Sequence, residues 1–387
     1  MTVGLAPASA PVAAATLEPV APGVIRPAFR PRLRLLLYLV LAAVAITLGT
    51  ARLVTGPWFH VYNPRELSLI DGWPVSWEST YYVEHLPTFA SSQRPTIGIS
   101  AVHYRTLLPL FLAAQLYAWT GQVFWSLAAV DLFFWFVAGV AGFHLSLRLG
   151  ARPWPAALSA LLIVASPVLV SHMWRHDLHA ADFSGLPIGL WAALVLVDEP
   201  RPRWQLSAGL AVLLLMLSLS YQYQWLMVPL AFVLCATQRR VGLRWGAVVL
   251  GAALLLFLGA TAGSEALFRY GVGEPTAWTG AVVHPSAEIL GRLTAARSAS
   301  EAIGAVLTLA PTPARFTALW GAYHPLVLGA GIAGAALLGR RMLALLVTGV
   351  AVSLVSHVVY EAPWTATLCY PLVCIGGGTA CATAGDA

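Results

Sequence analysis

Lysine is missing from this chain altogether: all 22 basic residues are arginine. Charge of either sign is scarce, at 10% of 387 residues, where soluble domains carry about 25%. That shortage excludes an ordinary water-soluble globule. With 59% hydrophobic residues and a mean hydropathy of +0.76, the chain has more apolar surface than one water-facing core can hide. Lipid must therefore be its solvent. The lack of lysine, beside abundant Ala, Gly and Pro, reflects the base composition of a GC-rich bacterial genome rather than a function. Cysteine is also sparse. Cys235, Cys369, Cys374 and Cys381 form no CxxC pair and have no histidine at metal spacing, which excludes a disulfide framework and a zinc site. They read as small core or lipid-facing residues. A net charge of +6 would suit nucleic acid, but the arginines are scattered around apolar segments, where the positive-inside rule accounts for them. No nucleic-acid partner is expected.

Taken in order, residues 1–25 are rich in Ala, Pro and Val without hydrophobic periodicity and read as a disordered cytoplasmic tail. Residues 26–387 read as a single transmembrane domain. Arg26, Arg30, Arg32 and Arg34 precede an apolar run over 35–51, read as an uncleaved first span rather than a signal peptide. Further candidate spans are 122–147, 155–171, 183–197, 205–221, 224–237, 245–262, 323–339, 342–360 and 365–382. The segment 106–121 decides the parity. If it lies along the interface, the Arg-bearing linkers at Arg148/Arg152, Arg201/Arg203, Arg239/Arg240/Arg244 and Arg340/Arg341 share a side with the N-terminus. If it crosses, they all fall outside. The positive-inside rule selects the interfacial reading, which suits Arg105, Gln115, Tyr117 and Trp119. The expected architecture is an all-α polytopic membrane protein. It has about ten transmembrane helices, both termini cytoplasmic, and interfacial helices in a large first extracytoplasmic loop.

Three outer segments then hold most of the acids and histidines: a first loop, 54–121 with its interfacial helix, a turn at 171–183, and a late loop at 263–322. In the first, Glu78-Ser-Thr-Tyr81-Tyr82 puts a carboxylate among aromatics at a bundle mouth. A carboxylate in a partly dry site can accept a proton or hold a divalent cation. Asp71 competes with Glu78 for that role, although Gly72 after it is the pattern of a simple turn. Arg105 can meet a phosphate with its planar fork. The bland reading of the first loop is an interfacial aromatic belt with solvated charges between its rings.

The turn Ser-His172-Met-Trp-Arg175-His176-Asp177-Leu-His179-Ala-Ala-Asp182 is the second cluster. His172 and His176 are one helical turn apart, and His176, Asp177 and Asp182 form a candidate cation set for Mg or Mn. The bland alternative is a polar turn among headgroups. Arg175 is a further candidate for an anionic ligand. Gln222, within Tyr-Gln-Tyr-Gln-Trp, could line a sugar pocket or belong to an aromatic belt. Arg315, ahead of Trp320 and Tyr323, is placed for a phosphate contact. Asp131, inside an apolar span, must face the bundle interior and find a partner; it reads as structural before it reads as catalytic.

The layout resembles the GT-C superfamily of integral-membrane glycosyltransferases, in the branch that includes dolichyl-phosphate-mannose-protein mannosyltransferases and their bacterial relatives. The resemblance rests on one span after a basic N-terminus, then an outer loop with an acid-x-x-Tyr-Tyr element. It continues with Tyr104-Arg105-Thr-Leu-Leu-Pro109 leading the interfacial helix, and with His176-Asp177 in the next outer turn. It implies transfer of a sugar from a polyprenyl-phosphate carrier to an extracytoplasmic acceptor (lipid, glycan or protein) at the bacterial plasma membrane. Glu78 or Asp71 would be the first-loop acid and Asp177 the second, with Arg105, Tyr82, Arg175, Arg315 and Gln222 binding substrate. Family members commonly carry Asp, not Glu, in the first loop. A transporter or flippase is the main rival, but it predicts internal repeats and broken midplane helices that are not visible here. An O-antigen polymerase or ligase, a membrane acyltransferase using His176, and a purely structural partner are further readings.

Overall fold

A computed structural model describes residues 30–55, 67–70, 73–76, 107–166, 180–198, 325–360 and 369–385, with short pieces between 86 and 91, 230 and 234, and 295 and 301. The expected tail 1–25 and the candidate spans 205–221 and 245–262 lie outside these residues. Eight helices are described: α1 Pro31–Thr55, α2 Leu107–Thr120, α3 Val123–Leu149, α4 Pro153–Val164, α5 Ala180–Asp198, α6 Pro325–Leu338, α7 Arg340–Tyr360 and α8 Tyr370–Gly385. Two of them, α1 and α3, are long and apolar enough to cross a membrane. The count of ten spans is not tested by this set.

The helical body departs from a purely α chain at one place. Strands β1 (Leu67–Ile70) and β2 (Trp73–Ser76) pair antiparallel, with Ile70 opposite Trp73. That register leaves only Asp71 and Gly72 to join them, and Asp-Gly is a favoured two-residue hairpin link.

Helix ends follow local chemistry. Gly150 ends α3 in the left-handed region at φ 108°, and its N–H and that of Ala151 bond back to the Leu147 and Ser146 carbonyls. Three residues after Gly150, Pro153 opens α4, where a missing N–H costs nothing. The span expected over 155–171 is corrected here: α4 stops at Val164. Pro167 has no N–H to offer the Ile163 carbonyl, and the Ser166 N–H takes that carbonyl instead at 3.2 Å. At 12 residues α4 rises only about 18 Å, short of a bilayer core of about 30 Å.

Packing runs in the sequence α5, α3, α4, α8, α6, each helix lying against the next. Helix α5, which contains Pro187, is buried nearly all round along Phe183–Leu194. Helix α1 touches the bundle through the narrow stripe Leu37, Leu41 and Ala45, and leaves Leu35, Leu36, Leu39 and Ile46 at least half exposed. Leucines displayed this way are stable against hydrocarbon, not water. Trp119 and Trp125 stand exposed at one end of α3, and Trp154 at the other. Roughly 35 Å of helical rise separates the two levels, as expected for aromatic belts at both interfaces.

Glycine sets the tightest contacts. In α3, Gly139 and Gly142 lie against Val164 and Ile163 of α4, with no room for a methyl group. Helix α8 is sandwiched more closely still. A Cβ on Gly376 would strike the Gly331 carbonyl of α6, and one on Gly334 would strike the Gly376 carbonyl. Two residues along, on the opposite face, Gly378 sits against Ser159 of α4, whose hydroxyl donates to the Pro155 and Ile375 carbonyls at 2.8 and 3.2 Å. Small residues that let backbones touch are the means by which helices associate where lipid supplies no hydrophobic drive. Gly377, between them, faces Leu162 alone among the described residues, at an ordinary 3.8 Å. Thermal unfolding in detergent should separate the three. Gly376→Ala and Gly378→Ala should each cost about 3 kcal/mol by overpacking. Gly377→Ala should be neutral or gain up to about 1 kcal/mol from helix propensity.

Candidate functional site

Which residues share an end of the bundle follows from the contacts. Leu33, Leu37 and Val40 of α1, Trp154 and Leu161 of α4, and Ala382 of α8 line one groove. The first turns of α1 and α4 and the last turns of α8 therefore lie together. Near that level Tyr38 and His144 meet, hydroxyl to Nε2, at 2.7 Å, with Trp191 of α5 beside the imidazole. The opposite end is formed by the N-terminus of α3, the C-terminus of α4 and the N-terminus of α5. The chain between Thr55 and Val123 thus begins and ends at that same end, so α2 makes no crossing by itself. Its 14 residues, about 21 Å of rise, agree. One face of α2, with Leu110, Ala113 and Ala114, is buried, while Phe111, Gln115 and Trp119 lie on the exposed side. The interfacial reading of this helix suits both observations.

At the end opposite the arginine-bearing turns, α3 supports the site from below. The Trp135 indole N–H donates to the Val164 carbonyl at 2.8 Å, satisfying one of the terminal carbonyls that α4 leaves open by stopping early. Asp131 stands one turn further along the same face of α3, at the level where α4 has ended, and is fully buried. A carboxylate so enclosed is held by polar partners or a cavity rather than by lipid. Ser166, also buried, has a hydroxyl with no hydrogen-bond partner among the described residues. Thr120 and Ser126 tie the end of α2 to the start of α3 through hydroxyls 3.2 Å apart. Leu86, from the segment between α1 and α2, is fully buried in the main core cluster.

Glu78, Asp71, Tyr82, Arg105, Arg175, His176, Asp177, Gln222 and Arg315 all lie outside the described residues. Along the chain Glu78 follows β2 by two residues, Arg105 precedes α2 by two, and Asp177 precedes α5 by three. Asp182 is the third residue of α5. Among the described residues no three His, Cys, Asp or Glu side chains cluster as metal ligands. Ser166 and the Trp135 bond were missed in the sequence. Pro167 was the available signal, because a proline there must leave a helix end to be satisfied.

No family profile and no curated protein matches the chain. Solved structures do. The Archaeoglobus fulgidus oligosaccharyltransferase, in its apo form, is similar over 92% of this chain at 16% identity and a TM-score of 0.57. The same enzyme, tethered by a disulfide to an acceptor peptide containing the NVT sequon, is similar over 92% at 14% identity and a TM-score of 0.52. The chain spans about half the length of these structures, 51% and 50% respectively. This likeness shows the fold.

The Trp135 bond is testable by itself. Trp135→Phe should lower stability by about 2 kcal/mol, since the Val164 carbonyl loses its donor in a dry site. Trp119→Phe, at an exposed ring, should change melting in detergent little.

Proposed function

We propose that this chain is a GT-C-type glycosyltransferase that moves a sugar from a polyprenyl-phosphate carrier to an extracytoplasmic acceptor. The observation that carries the reading is the fold likeness to an oligosaccharyltransferase across 92% of the chain. The arrangement of helix ends adds support. The link between α4 and α5, with His176 and Asp177, joins two helix termini at the end opposite the arginine-rich turns. The chain segment leading into α2, with Arg105, serves the same end.

In this reading the acceptor oxygen attacks the anomeric carbon of the sugar, the carbon–phosphate-oxygen bond breaks, and polyprenyl phosphate leaves with the bonding pair. The acceptor proton passes to a carboxylate. Glu78 is the better candidate, because the hairpin gives Asp71 a turn-forming duty of its own. Arg105 would neutralise the leaving phosphate, and Tyr82, Arg175, Arg315 and Gln222 would hold donor and sugar. Asp177 would be the second acid. A divalent cation, Mg or Mn, would be held by His176, Asp177 and Asp182 and would offset phosphate charge. The mannosyltransferase-like branch, a multi-pass bacterial plasma-membrane location and a cytoplasmic N-terminus belong to the same proposal. The neighbour's acceptor peptide makes protein one acceptor class beside lipid and glycan.

The test uses full-length protein in nanodiscs with a radiolabelled polyprenyl-phosphate-sugar pool and a membrane-extract acceptor mixture. Wild type should pass label to an acceptor or release it by hydrolysis. Glu78→Gln and Asp177→Asn should reduce turnover about 10²–10⁴-fold with donor binding retained, the range for loss of a general base. Asp71→Asn should lose far less. Binding without turnover in wild type would instead favour a carrier-binding flippase.

A further inference from the structure

The groove between α1 and α4 takes no part in the proposed chemistry and lies at the other end of the bundle. It encloses about 420 Å³ and is lined by apolar side chains only. Its walls are helix faces of matching period: Leu33, Leu37 and Val40 on one, Trp154, Leu158 and Leu161 on the other. The mouth is cationic. Arg30 immediately precedes α1, Arg32 lies in its first turn next to Leu33, and Arg152 caps α4 two residues ahead of Trp154. All three are exposed and have no ion-pair partner among the described residues. Trp154 is 71% exposed, at the level where an aromatic ring meets headgroups.

We infer that this groove is a binding site for an anionic phospholipid of the leaflet on the N-terminal side of α1. One acyl chain lies between α1 and α4, and the phosphate is held by Arg30, Arg32 and Arg152. Apolar volume alone would accept any lipid. The three unpaired guanidinium groups at its mouth select for net negative charge, since arginine pairs with phosphate through two parallel N–H donors. The site rests on the membrane reading of the chain and is independent of the sugar-transfer proposal.

Native mass spectrometry of the full chain tests it, with protein released from neutral detergent after addition of phosphatidylglycerol or phosphatidylcholine of identical acyl chains. Wild type should retain phosphatidylglycerol preferentially through collisional activation. Arg30→Gln, Arg32→Gln and Arg152→Gln should each weaken that retention roughly five-fold without changing phosphatidylcholine. Leu36→Trp, at an exposed groove-wall residue, should remove the retained lipid with all charges intact. Unchanged melting of each variant in lipid-free detergent checks the fold. Equal retention of the two lipids would overturn the site, as would retention indifferent to both kinds of variant. So would a dimer that Leu36→Trp disrupts without affecting lipid.

Discussion

Backbone-to-backbone contact along α8 is the constraint on which the rest of the bundle depends. Gly376 against α6 and Gly378 against α4 bring three helices closer than any side chain allows, in a chain whose apolar residues gain nothing by leaving lipid for one another. Dispersion between closely fitted surfaces and the Ser159 bond to Ile375 then hold what hydrophobicity cannot. At Gly139 and Gly142, where α3 meets α4, the glycines instead admit the side chains of Val164 and Ile163. Together these contacts fix the row from α3 through α4 and α8 to α6, and with it the two ends of the molecule.

The ends differ in chemistry. One gathers the arginine-bearing starts of α1 and α4 around an apolar groove. The other presents the prematurely ended α4, the enclosed carboxylate of Asp131 and the termini from which the polar outer segments depart. Helix α4 stops at Val164, and the Trp135 bond satisfies one of the backbone carbonyls left open there.

Much of the helical scheme was legible in residue patterns, for identifiable reasons. The long apolar run behind α3 follows from hydropathy, a strong signal in a chain with so few charges. The length of α4 was misread, because hydropathy responds to side chains and not to the N–H that Pro167 lacks. The contacts of Gly376 and Gly378 have no signal in the sequence, since close backbone approach is a property of two helices at once. The hairpin was half visible in Asp71-Gly72. The candidate site was less accessible: Glu78, Arg105 and Asp177 were chosen by residue type and family likeness, and whether such residues meet is a tertiary property no spacing encodes.

The central claim is that the acid- and histidine-bearing segments lie together on the face opposite the arginine turns. Substituted-cysteine labelling of intact cells with a membrane-impermeant maleimide tests it directly, in a background lacking Cys235, Cys369, Cys374 and Cys381. Cysteine at Ser79 and Ala180 should label from outside, whereas cysteine at Pro202 and Arg340 should label only after the membrane is opened. External labelling at Pro202 or Arg340, or protection at both Ser79 and Ala180, would contradict the account.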